Sequence, residues 1–259
     1  MPTNLFIMTG ATRGLGLSMA RQLLSQGHSL LCIARTEQPA LTRHAEQSGS
    51  ALLQWRHDLA ESAVLAERLK AWLHEPRQTA WRSATLINNA AAIAGIQPLS
   101  AADAAELAQA LRVGLEAPMV LTSAFLRATQ SWQVPRKVLN ISSGLGRRPM
   151  ASQAPYCAAK AGLDHFSRCL ALEEALKPGG AMVCSLAPGV IDTDMQLQLR
   201  SASAADFPDQ DAFERLKANG QLSMPDEAAR RVLAYLNRPD FGAQPVDDVR
   251  DEAARPAGQ

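Results

Sequence analysis

The chain has 259 residues with 26 basic and 25 acidic side chains, for a formal net charge of +1. At 47% hydrophobic and 20% charged residues, it is too apolar for a disordered chain and too evenly charged for a dedicated nucleic-acid binder. No stretch reaches the roughly eighteen apolar residues of a membrane helix, and Cys32, Cys157, Cys169 and Cys184 form no Cys-x-x-Cys pair or zinc-spaced cluster with histidine.

Met1–Met8 carries no basic side chain, so no targeting peptide is expected, and scattered reduced thiols fit a cytoplasmic protein without a metal. Leu5–Thr9 is a continuous apolar run, as for a strand buried on both faces. A glycine-rich turn follows, then Leu15, Met19 and Leu23 at helical spacing up to Gly27. Ser29–Ala34 and Ala51–Arg56 read as the second and third strands, about Ser62 to His74 as a helix, and Ala84–Asn88 as the fourth strand. An Ala-rich helix is expected over Ala101–Leu111, strands over Lys137–Ser142 and Ala181–Leu186, and a long helix between these over Pro155–Leu176. The polar stretch from about Gln196 to Met224 is too long for a plain connector and is expected to be a lid. Asp226–Leu236 is a last helix, and 247–259 is expected to be a flexible tail. This alternation predicts one α/β domain over 1–246, a parallel sheet with helices on both faces.

Thr9-Gly10-Ala11-Thr12-Arg13-Gly14-Leu15-Gly16 lies between the first strand and the first helix, where an open α/β sheet binds a dinucleotide. Glycines let the backbone approach a pyrophosphate, and the helix N-terminus offers N–H groups to it. NAD-binding sheets place an acid at the end of the second strand; here that strand ends Ala34-Arg35-Thr36. Arg13 and Arg35 together favour a 2′-phosphate, hence NADP(H), with two solvated surface arginines as the alternative.

Tyr156 and Lys160 stand four residues apart near the start of the long helix, on one face. A phenol of pKa about 10 is lowered by a fixed ammonium, which makes Tyr156 a general acid for a carbonyl oxygen that gains charge as hydride arrives. Ser143, at the end of the fifth strand, can hydrogen-bond the same oxygen.

These segments resemble the short-chain dehydrogenase/reductase family: TGATRGLG (9–16), Asp58, NNAA (88–91), ISS (141–143), YCAAK (156–160) and PGVIDTDM (188–195), in family order. The resemblance implies a Rossmann-like doubly wound sheet of about seven strands. It assigns the phosphates to Gly10, Thr12, Arg13, Gly14, Leu15 and Gly16, and the adenine flank to Asp58 and Leu59. Asn89 and Ala90 would support the middle of the cofactor, and Pro188, Gly189, Val190 and Thr193 its nicotinamide end. Lys160 would also hold the nicotinamide ribose, beside Tyr156 as acid/base. Ser143 would orient the carbonyl in preference to Ser142. Assembly as a homodimer or homotetramer through the Ala101–Leu111 and Pro155–Leu176 helices is likewise implied.

Within the family the C-terminal half is similar to the sepiapterin reductases and the bacterial benzil-type diketone reductases, through YCAAKAGLDHF (156–166), LALEEAL (170–176), APGVIDTDMQ (187–196) and LKANGQL (216–222). By that likeness Asp247, or alternatively Asp248, anchors a pterin, a solvated acid in the tail being the other reading. One departure is Gly114, which stands where the family carries an Asn that holds a water of the proton relay. It leaves open a wider water chain, slower proton supply or a rearranged helix. The expected activity is NADPH-dependent reduction of a small planar or dicarbonyl substrate. The alternatives are a ketone or diketone reductase without a pterin role and a cofactor-binding sensor with weak chemistry. Arg147 and Arg148 are expected to be a solvated pair, and Asp192 and Asp194 to cap the lid's first helix. The four tryptophans share no period, which suggests ordinary packing.

Overall fold

A computed structural model describes residues 3–75 and 81–250. β1 (Leu5–Thr9) leads through α1 (Gly14–Ser25) to β2 (Ser29–Ala34), and α2 (Pro39–Ser48) leads to β3 (Leu52–Arg56). After α3 (Ser62–His74) come β4 (Ala84–Asn88), α4 (Ala104–Leu111), a π-helical turn over Arg112–Glu116, α5 (Ala117–Ala128) and β5 (Arg136–Ile141). The long α6 (Ala154–Ala175) precedes β6 (Met182–Ala187); α7 (Asp194–Arg200), α8 (Gln210–Ala218), α9 (Pro225–Leu236) and β7 (Val246–Asp248) complete the order.

All six strand pairings are parallel, in the order β3-β2-β1-β4-β5-β6-β7. This is the doubly wound Rossmann-like arrangement. The chain walks outward from β1 to one edge and then returns to build the other half from β4. A crevice therefore opens between β1 and β4 at their carboxyl ends.

Both sheet faces are covered, which is why β1 is apolar without alternation. Phe6 and Met8 enter a core with α1, α2 and α9, while Leu5 and Ile7 enter a second core with α3, α5 and α6. Each such side chain contributes about 1.5–3 kcal/mol by leaving water. The helix α2 carries no periodic signal in the sequence because it buries only Leu41 and Ala45. Local chemistry makes it: Gln38 caps it, Pro39 opens it, and Gly49 ends it with φ at 65°.

The lid segment contains α7 and α8 and has a small core of its own, in which Leu199, Phe207 and Phe213 pack with Met150 and Ile96. A single bridge, Ile191 to Ser223, ties its two ends together. Asp192 pairs with Lys217 of α8 and with Arg200 of α7 at 3.6 Å, and so clamps the two lid helices rather than capping one.

One expectation is corrected here. The segment from Asp247 does not begin as a tail: Asp247 and Asp248 pair with Leu186 and Ala187 in the edge strand and are 5% exposed. Two consecutive acids hide a strand from any apolar pattern, and their burial is possible because each has a partner. Residues 251–259 lie outside the described residues. The tryptophans, in turn, gather into one run, Trp55–Trp72–Trp81–Trp132, with ring centroids 5.7, 6.2 and 5.4 Å apart. Elements distant in sequence meet there, so no sequence period could show it.

Candidate active site

The glycine turn lies over the crevice, and its glycines are required by contact. A Cβ on Gly16 would stand 2.1 Å from the Gly10 carbonyl oxygen, and Gly10 holds φ at 71°. Asn89 locks the turn from β4: its Nδ2 donates to the carbonyls of Thr9 and Gly10, both at 3.0 Å. Thr9 Oγ1 in return accepts from the backbone N–H groups of Asn89 and Ala90. Gln38 Nε2 donates to the Thr12 carbonyl at 3.0 Å, joining the turn to the loop after β2. The start of α1 therefore meets the crevice as a rigid cradle with a backbone surface, the shape a pyrophosphate requires. Leu15 is buried beneath it.

Around this cradle, Arg13 and Arg35 are both exposed, Arg35 one residue beyond β2. Arg13 Nη1 lies 3.2 Å from Asp194 Oδ2, at the first residue of α7. Asp58 caps the short turn Leu59–Glu61, accepting from Ala60 N at 3.0 Å, and Leu59 is buried. The loop after β6, from Pro188 through Gly189 and Val190 to Thr193, folds back onto the cradle. The Thr193 methyl lies 3.2 Å from where a Gly14 Cβ would be, and the Val190 carbonyl accepts from Ser223 N. These residues fit a dinucleotide running from the glycine turn toward β6.

Ser143, Tyr156 and Lys160 meet at the carboxyl end of β5. Ser143 Oγ accepts from Leu145 N at 3.2 Å, and its hydroxyl is near enough to Tyr156 to favour the phenolate. Ser142 is turned inward and donates to Asp164 Oδ1 at 2.5 Å, so the two adjacent serines have separate partners. Lys160 Nζ donates to the Ile141 carbonyl at 2.7 Å and lies 5.6 Å from the Tyr156 ring centroid.

The electrostatics correct one expectation. Burial pushes the Tyr156 phenol up to about 12, against the opposing effect of the neighbouring Ser143 hydroxyl, and pulls Lys160 down to about 8. The lysine does not lower the phenol, because desolvation outweighs a charge already directed at a backbone carbonyl. Tyr156 is thus held in its protonated form through the neutral range.

Gly114 sits inside the π turn, buried, and a Cβ there would meet Ala159 Cβ of α6 at 3.1 Å. The helix is locally rearranged at the position where an amide was expected. An extra residue in the turn brings α6 close to it, and that closeness accounts for a residue without a side chain.

Asp247 is not presented as a substrate anchor. Its Oδ2 accepts the Tyr235 hydroxyl at 2.7 Å, and its Oδ1 accepts Asp248 N at 2.9 Å. Asp248 likewise binds Arg250 through both carboxylate oxygens. Arg147 is exposed, as expected, but is also held: its Nε faces Asp164 Oδ2 at 3.7 Å and its Nη2 donates to the Asp247 carbonyl. Arg148 is exposed and lines a cleft of about 360 Å³ with Met150, Phe213 and Leu216, between the lid and the loop after Ser143. Sequence reasoning missed Asp164; its signal was the second i,i+4 step along the same face, Tyr156 to Lys160 to Asp164.

A family model described as short chain dehydrogenase matches residues 4–204. The chain belongs to the short-chain dehydrogenase family. This short-chain dehydrogenase is 36% identical over 235 residues to a benzil reductase ((S)-benzoin forming) of Bacillus cereus, covering 91% of this chain and 94% of that one. It is 33% identical over 246 residues to the sepiapterin reductase of Meriones unguiculatus, covering 91% and 92%. A solved short-chain dehydrogenase/reductase from Burkholderia vietnamiensis aligns with a TM-score of 0.64 at 32% identity, over 96% of this chain and 98% of that one. The family uses a nicotinamide cofactor, and this member is an oxidoreductase of carbonyl and alcohol groups. Among the described residues no helix is long and apolar enough to cross a membrane, and no group of His, Cys, Asp or Glu is placed to hold a metal ion.

Proposed function

We propose that this chain is an NADPH-dependent carbonyl reductase acting on a small dicarbonyl substrate. The observation that carries the reading is the meeting of Ser143, Tyr156 and Lys160 beside the glycine cradle. When bound, the nicotinamide cofactor supplies the hydride. Ser143 holds the substrate carbonyl oxygen, and Tyr156, protonated over the whole neutral range, gives that oxygen its proton as charge develops. Lys160 provides the positive charge that favours the phenolate left behind and a donor for the nicotinamide ribose. Arg13 and Arg35 supply the 2′-phosphate preference, Asp58 and Leu59 the adenine flank, and Val190 and Thr193 a wall for the nicotinamide end.

A dicarbonyl is favoured over a pterin on one ground. The aspartate that would hold a pterin, Asp247, is bound to Tyr235 inside the fold. Cytoplasmic location and assembly through α4 and α6 belong to the same proposal, the latter supported by exposed Leu111 and Leu172 on those helices. A purified-protein screen of NADPH oxidation against benzil, sepiapterin and simple ketones tests the reading. Turnover of benzil well above sepiapterin is expected. Tight NADPH binding with no turnover of any carbonyl would instead identify a cofactor-binding sensor.

A further inference from the structure

Beneath the reactive pair the fold buries a carboxylate that proton transfer to substrate does not use. Asp164 follows Lys160 by one helical turn on α6 and is 1% exposed. Its Oδ1 accepts two hydroxyls, Ser142 Oγ at 2.5 Å from the end of β5 and Ser185 Oγ at 2.7 Å from β6. Its Oδ2 accepts no hydrogen bond among the described residues and faces Arg147 Nε at 3.7 Å. Two O–H donors on one oxygen and a cation opposite the other are the surroundings of an ionised carboxylate. Burying that charge with one oxygen unsatisfied is costly, so a packing role alone does not account for it.

The group it serves lies on the same helix face. Lys160 Nζ is buried, and its hydrogen bond goes to a neutral carbonyl. We infer that Asp164 is a positioning residue: it is the buried counter-charge that keeps Lys160 an ammonium, and through Ser142 it fixes the strand end from which Ser143 reaches Tyr156. The direction of the Lys160 shift agrees, since burial lowers it and the Asp164 charge works against that fall. The surrounding elements leave the assignment intact. Cys184 on β6 and Tyr235 on α9 are held protonated, the former pushed up to about 12. The Asp247 carboxylate on β7 is turned to Tyr235, and the π turn meets α6 through Gly114 and Leu115, neither charged. Tyr156 and Cys157 on α6 are both raised. Arg147, from the turn after β5, is the cation that competes with Lys160 for Asp164.

This inference rests on Ser143, Tyr156 and Lys160 being the reactive set, and the test separates the two. The measurement is kcat/KM for NADPH-dependent benzil reduction as a function of pH, whose alkaline limb reports loss of the Lys160 proton in the free enzyme. Asp164→Asn keeps the shape and can still accept both serine hydroxyls. It is expected to move the limb at least about one unit toward acid, with activity recovered near pH 6. Arg147→Met removes the competing cation and is expected to move the limb the opposite way. A limb that stays in place in both variants, with activity lost evenly at every pH, overturns the inference. If Asp164→Asn does not fold, Arg147→Met decides alone, and an unmoved or acid-shifted limb overturns it. Undiminished turnover in Lys160→Met would instead show that the reactive set itself is wrong.

Discussion

At the residue scale, the site holds charges where burial opposes them, so function and stability pull in different directions. The folded-state value of Lys160 lies near 8, below its unfolded 10.5. The unfolded chain therefore binds the proton more tightly, and stability rises as pH increases through that window. At pH 7 the buried ammonium costs up to about 3 kcal/mol, part of which the bond to Ile141 recovers. Lys160→Met should abolish turnover yet raise the Tm of the ligand-free protein at pH 7 by several degrees. A lower Tm in a calorimetric scan would show that the charge is better compensated than its surroundings indicate. Asp247→Ala should destabilise the fold by leaving the Tyr235 hydroxyl without its acceptor, and should reduce sepiapterin and benzil turnover alike. A loss confined to sepiapterin would restore the anchor role. The glycine turn and the placing of Tyr156 and Lys160 on one helix face were legible because their spacing is local. The inward turn of Asp247 was not, since its partner Tyr235 lies on α9 and not on its own strand.

At the scale of elements, the π turn and the lid are where the sequence pattern was least informative. Gly114→Ala tests whether the rearranged turn is set by packing. Its new methyl would crowd Ala159 on α6, the helix that carries Tyr156 and Lys160. A stability loss of about 1–3 kcal/mol is expected, read as a lower denaturant midpoint, and no loss would mean that α6 can move aside. The lid's polar composition concealed α7 and α8 because their apolar contacts face a small core of their own rather than the sheet. Phe207, fully buried, anchors that core. Phe207→Ala removes about 3–5 kcal/mol of packing. It should open the lid locally, with protease cuts between residues 196 and 224 and a raised KM while cofactor binding persists. Global unfolding without such cuts would show that the lid is not an independent unit.

At the scale of the molecule, strand order places the candidate site. The switch between β1 and β4 opens the crevice, β5 delivers Ser143, and the loop after β6 returns to the glycine turn. The parallel sheet followed from the alternation of apolar runs and amphipathic stretches. Its seventh strand did not, because three residues with two paired acids carry no hydrophobic signal. The even charge balance of the whole chain also conceals two exposed local cations, Arg13 and Arg35, to which the proposed function gives the 2′-phosphate. Arg35→Ala should weaken NADPH binding by about ten- to a hundredfold and leave NADH binding nearly unchanged, as read by fluorescence titration. Equal weakening of both would contradict the 2′-phosphate assignment. The most direct test of the account is single-turnover benzil reduction by Tyr156→Phe loaded with NADPH. The expected result is unchanged NADPH binding with hydride transfer slowed by at least about a hundredfold; a rate within a few-fold of the parent enzyme would contradict the assignment of Tyr156 as proton donor.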